Sequence, residues 1–133
     1  MFSQNLPNAD DSEKLFIKTE IAPTFSGDIF KYFDSSLNGL EMPEKGRVLI
    51  DVIIDKLGKP YYSYSYDHTN GDITNFNLER VINKMESWTS AYQNGYSVKS
   101  IILILLDIKG GKLIKARQKS ISDEWKYMIN TYD

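Results

Sequence analysis

The chain has 133 residues, of which 41% are hydrophobic, 13% aromatic and 26% charged. That length suits one domain with a tail, and the apolar fraction argues against wholesale disorder. Sixteen Lys+Arg against 18 Asp+Glu leave a net charge of -2, without the basic footprint of a nucleic-acid binder, and the lack of cysteine removes disulfides, thiolate metal sites and thiol nucleophiles.

Residues 1–13 read as a flexible arm of Asn, Asp and Ser with little to bury, and they hold no apolar stretch of the signal-peptide kind. Residues 14–133 read as a single domain. The longest apolar run, Ile101 to Leu106, is far short of the roughly 20 residues a helix needs to span a bilayer. Leu15-Phe16-Ile17 with Ile21 suggests a short strand ended by Pro23. A helix is expected from about Ser26 to Leu37, with Ser26 as its cap, Asp28 in its first turn and Gly39 just past its end. Ile29, Phe30, Phe33 and Leu37 recur at helical spacing and face a core.

The clearest hairpin runs from Arg47 to about Tyr66. Val48, Ile50, Val52 and Ile54 alternate strictly, so four β-branched side chains share one sheet face. Asp55-Lys56-Leu57-Gly58 supplies the turn. On the return strand, strict alternation places Tyr62, Tyr64 and Tyr66 together, with Ser63 and Ser65 opposite. After a polar loop from Asp67 to Thr74, a second helix is expected from about Asn75 to Ser87, and Trp88 to Gly95 reads as a connector. Val98 to Ile108 is the longest strand, turned by Gly110-Gly111 into the segment from Lys112 to Lys119. Ser122, Asp123 and Glu124 can open a C-terminal helix over about 120–133, whose Ile121, Trp125, Met128, Ile129 and Tyr132 form an apolar stripe. That stripe suits the second face of the sheet, where Leu49, Ile53, Ile101, Leu103 and Leu105 would otherwise be wet.

Catalytic constellations are sparse. His68 is the only histidine, and Asp67-His68-Thr69-Asn70-Gly71-Asp72 has the composition of a solvated loop rather than of a base with a positioned partner. Gly110-Gly111 lacks the strand–loop–helix setting and the Gly-Lys-Ser/Thr ending of a phosphate loop. Asp123-Glu124 is explained by helix capping. The residues therefore predict no catalytic site, no metal site and no cofactor. The tyrosines at 61, 62, 64 and 66 could form a platform for a sugar or peptide, or pack as the half-buried face of an amphipathic strand.

From Phe25 to about Ile108 the order of residues resembles the C-terminal domain of TonB-type energy transducers, the Bacteroidetes-like variety above all. Phe25-Ser26-Gly27-Asp28 stands where that family has Phe-Pro-Gly-Gly, and Gly46 to Gly58 is similar to its first hairpin. Met85, Trp88, Ala91, Gly95 and Val98 match its later motif in register, with Glu86 and Ser90 in place of prolines. The family's membrane helix and Pro-rich linker have no counterpart in this sequence.

The resemblance and the residue patterns together imply an α+β fold: a small antiparallel sheet of three to four strands, two helices on one face and the C-terminal helix on the other. By resemblance, the function is that of a non-enzymatic module that binds an extended peptide at a sheet edge, with Val98, Ser100, Ile102 and Ile104 as the expected peptide-binding residues. The partner implied is a protein or peptide, such as an outer-membrane transporter segment, with a homodimer as a further option and no nucleic acid. The setting is the periplasm or cell envelope if a signal peptide has been removed, and otherwise the cytoplasm. An intracellular interaction protein of inhibitor or immunity type, with a similar fold, is the alternative.

Overall fold

The computed structural model describes residues 14–121. The expected arm over 1–13 and the stripe from Trp125 to Tyr132 lie outside the described residues. In chain order the elements are β1 (Leu15–Phe16), β2 (Thr24–Phe25), α1 (Ile29–Ser36), β3 (Lys45–Ile54), β4 (Pro60–Thr69), a 3-10 turn (Thr74–Phe76), α2 (Leu78–Asn83), β5 (Trp88–Thr89), β6 (Ala91–Gln93), β7 (Tyr96–Lys109) and β8 (Lys112–Ser120).

This arrangement corrects the expected fold class. The described residues are mostly β, 49% strand with two short helices, and the main sheet is mixed and six-stranded rather than small and antiparallel. The reason is the length of β7. Fourteen residues of strand leave room for several partners: β6 opposite Tyr96 to Val98 and, in succession on one side, β1 in parallel at Lys99 and Ser100 and β8 from Ile102 to Lys109. The other side pairs with β3 from Ser100 to Lys109. β1 falls within the short strand expected at Leu15-Phe16-Ile17, whereas a segment of three residues is too short to carry a readable period of two, so β6 reads only as part of a connector from Trp88 to Gly95. β8 runs to Ser120, and the rest of the C-terminal helix expected over about 120–133 lies outside the described residues.

The helices are also shorter than their apolar periodicity suggests. Asp28, not Ser26, caps α1: its carboxylate accepts from the Lys31 N–H at 3.1 Å, while the Ser26 N–H is donated to the Ser87 carbonyl. The expected helix from Asn75 to Ser87 is interrupted at Asn77, which takes the left-handed conformation at φ 52° between the 3-10 turn and α2. It ends by Asn83, and Ser87 also has positive φ.

The core under the helices follows the sequence pattern closely. Val48, Ile50, Val52 and Ile54 of β3 and Ile102, Ile104, Leu106 and Ile108 of β7 form one sheet face, covered by Phe33, Leu37, Phe76 and Ile82. Phe30 and Val81 pack against its rim, and Trp88 is buried, its ring tilted against that of Phe25 with centroids 5.3 Å apart. The opposite face carries a second, smaller cluster of Leu49, Leu103 and Leu105, against which Tyr66 and Ile121 pack. Beside that cluster Arg47 donates to Asp107 at 2.6 Å, a buried ion pair between β3 and β7.

The hairpin turns are closed as their residues dictate. Asp55 accepts from the N–H groups of Leu57 and Lys59 at 2.9 and 2.8 Å, and Gly58 takes φ 84° with its backbone against the Trp88 carbonyl. Gly110 and Gly111 both have positive φ, which gives the tight two-residue connection from β7 to β8.

Candidate functional site

A sheet edge can bind an extended chain only where backbone N–H and C=O groups point away from the sheet unpaired. β7 offers no such row. Val98 faces Ala91, Ser100 lies between Ile54 and Phe16, Ile102 between Val52 and Ser120, and Ile104 between Ile50 and Gln118. Of the expected peptide-binding residues Val98, Ser100, Ile102 and Ile104, the last three therefore sit in the interior of the sheet, and Val98 is paired to β6 on one side. The Gly110-Gly111 hairpin closes that edge with β8.

β4 is an exposed edge, as is β8, which among the described residues pairs only with β7. Among the described residues the only strand partner of β4 is β3. Which N–H groups face outward follows from the antiparallel register. The Asn70 N–H bonds to the Lys45 carbonyl at 3.1 Å, so Lys45 and Asn70 form a hydrogen-bonded pair, and such pairs alternate with open ones. Arg47 with His68 and Leu49 with Tyr66 are then the bonded pairs. Ser65, Asp67 and Thr69, opposite Ile50, Val48 and Gly46, turn their N–H groups away from β3.

Both ends of this edge are closed by side chains. At one end the Tyr62 N–H is donated to Asn83 Oδ1 of α2 at 2.9 Å. At the other, the Thr69 N–H is donated to Asp67 Oδ1 at 2.9 Å. Between them, Ser65 and Asp67 keep outward N–H groups, a free run about one strand-dipeptide repeat long. Pro60 begins the strand, a position where the missing N–H costs no ladder bond.

A β-bulge decides which side chains flank the free run. The register shifts between Asp51 and Val52: Asp51 pairs with Tyr64 and Val52 with Tyr62, leaving Ser63 as the extra residue. The expected common face for Tyr62, Tyr64 and Tyr66 is therefore broken. Tyr62 joins Ser65 on the helix face, where their hydroxyls lie 2.8 Å apart. Tyr61, Tyr64 and Tyr66 share the opposite face as cross-strand neighbours of Ile53, Asp51 and Leu49. Tyr64 and Tyr66 meet edge to face at 4.8 Å, and Tyr64 is 57% exposed. Tyr61 is also exposed, with the Lys59 ammonium over its ring.

The electrostatics of this aromatic strip are set by Asp51. Burial raises its carboxyl above the ordinary aspartate value, against the lowering effect of the Tyr66 hydroxyl that donates to it at 3.4 Å. Burial likewise raises the Tyr66 hydroxyl, and the Asp51 charge adds to that. At the Pro60 end, Leu57 stands almost wholly exposed on the turn, beside an open cleft of about 580 Å³ that Pro60, Asn83, Met85 and Glu86 help to line.

His68 lies on β4, exposed and cross-strand from Arg47, rather than in a loop. Among the described residues no group of three or more His, Asp or Glu side chains could hold a metal ion. No helix among them is long and apolar enough to cross a membrane. No family model matches the chain, and neither curated proteins nor solved structures give a match.

Proposed function

We propose that the protein is a non-enzymatic binding module that captures an extended segment of a partner protein by adding it as a strand to the β4 edge. The observation that carries this reading is the row of outward N–H groups at Ser65 and Asp67 on a strand paired on one side only among the described residues. Exposed Tyr61 and Tyr64 beside that row offer ring surface to alternate side chains of an incoming strand, at low cost in side-chain entropy. The closed ends fix its register: an added strand can pair between Tyr62 and Thr69 and no further without displacing Asn83 or Asp67. A cell-envelope setting is proposed on the sequence resemblance alone.

The test uses peptides selected on the full chain from a random display library. The selected peptides are measured by calorimetry against the native protein and against Ser65→Pro, which removes one outward N–H. Loss of binding to Ser65→Pro supports strand addition at β4. Equal affinity for both proteins, or failure of any peptide to enrich, overturns it.

A further inference from the structure

A second site lies away from the β4 edge, in a cleft of about 380 Å³ between α1 and the segment from Asn75 to Lys84. That volume falls in the range of small-molecule pockets. Its apolar lining comes from Phe76, which is nearly fully buried, with Leu40, Val81 and the ring of Tyr32. One end is closed by the Tyr32 hydroxyl, which donates to the Val81 carbonyl at 2.6 Å.

The polar lining has a single sign. Arg80 and Lys84 reach the cleft together with Ser36, Asn75 and Asn77, and no carboxylate lines it. Such a site is unexpected on a chain of net charge -2. The neighbouring clefts differ: Glu41 and Asp72 line one, Glu86 a second and Asp34 a third. Neither Arg80 nor Lys84 makes an ion pair among the described residues. They stand four residues apart in the last turn of α2 and at its C-cap, on one helix face, where the helix dipole favours each cation but their mutual repulsion opposes it. A six-residue helix has little propensity to spare for such a pair. An anion bridging the two would reverse the sign of that interaction. Arginine presents a planar fork of donors suited to a carboxylate, with lysine as the adjoining point charge. The apolar floor asks for an apolar body on the ligand.

We infer that the Arg80–Lys84 cleft binds a small carboxylate carried on an aromatic or aliphatic body, independently of strand addition at β4. Asn75 already donates its amide to the Glu41 carbonyl, which holds its side chain in place at the rim. Glu86 is the acid whose charge reaches Tyr32, where it adds to the larger effect of burial in raising the hydroxyl. It does not line the cleft.

The probes are benzoate and its uncharged isostere benzamide, titrated into the full chain and followed by amide NMR. Benzoate is expected to give saturable shifts at Ser36, Phe76, Val81 and Lys84, and to bind about tenfold or more tighter than benzamide, the margin of one charge-assisted contact. Arg80→Gln, at an exposed position, is expected to abolish that margin while leaving the rest of the spectrum in place. N-acetylphenylalanine, which presents its carboxylate as a chain end does, forms the second arm. Tighter binding than benzoate assigns the ligand to a peptide terminus, and weaker binding assigns it to a free acid. Equal affinities for benzoate and benzamide overturn the inference. So does an Arg80→Gln protein that keeps the margin, or shifts confined to other parts of the chain.

Discussion

Proline substitutions on β4 separate outward from inward N–H groups, and the structure gives the size of each effect. Ser65→Pro removes an N–H that bonds to nothing in the sheet, and a strand backbone at Tyr64 already satisfies the restriction a following proline imposes. The substitution deletes the Tyr62–Ser65 hydroxyl contact, worth about 0.5–1.5 kcal/mol at a part-buried site. Stiffening the unfolded chain returns about 0.4–1 kcal/mol. The net loss is about 1 kcal/mol or less, so Tm falls by no more than about 4 °C for a chain of this size. His68→Pro is the matched control. His68 is exposed, so its side chain contributes little, but its N–H lies in a bonded pair with Arg47, whose carbonyl would be left without its partner. That loss costs about 1–3 kcal/mol before any distortion of the strand. Thermal unfolding by circular dichroism reads both variants. Equal losses, or a larger loss at Ser65, would refute the assignment of outward groups and with it the free edge.

Gly58→Ala should destabilise by at least about 1–3 kcal/mol from the left-handed backbone alone, because φ is 84° there and the new Cβ would meet the Trp88 carbonyl oxygen; urea unfolding measures it. Asp51→Asn should raise stability at neutral pH. Asp51 binds its proton more tightly folded than unfolded, so native stability declines as pH rises from its unfolded value through its raised folded value, and the benefit of Asn vanishes in acid below both. A Tm difference that grows toward low pH would contradict this. Trp88→Phe removes a buried indole N–H that has no hydrogen-bond partner, and the relief offsets lost ring area, so the change stays within about 1 kcal/mol, whereas Trp88→Ala costs about 3–5 kcal/mol.

Much of the core was legible because period is a strong signal over ten residues. The alternation from Val48 to Ile54 and the spacing of Phe30, Phe33, Val81 and Ile82 name the side chains that pack between sheet and helices. The elements that escaped notice are short or local. β6, which reads as part of a connector, owes its existence to the length of β7, a tertiary circumstance with no periodic trace. The bulge at Ser63 is invisible in Tyr-Ser-Tyr-Ser-Tyr, which alternates well on paper, so one inserted residue reassigned Tyr62 to the core. The free edge had one available sign in Pro60, a residue that central strands exclude, and the Gly110-Gly111 turn already argued that β7 would be covered. Asn77 shows the same limit in the helices: a left-handed residue split an apolar stripe that reads as continuous.

Residue-resolved amide hydrogen exchange on the native chain, free and with a library-selected peptide, tests the central claim most directly. In the free protein the amides of Ser65 and Asp67 should exchange rapidly while those of Tyr66, His68 and β7 from Ile102 to Leu106 exchange slowly, since only the latter are held in the ladder. Adding peptide should slow Ser65 and Asp67 and leave β7 unchanged. Slow exchange at Ser65 and Asp67 in the free chain, or peptide-induced protection centred on β7, would contradict the account.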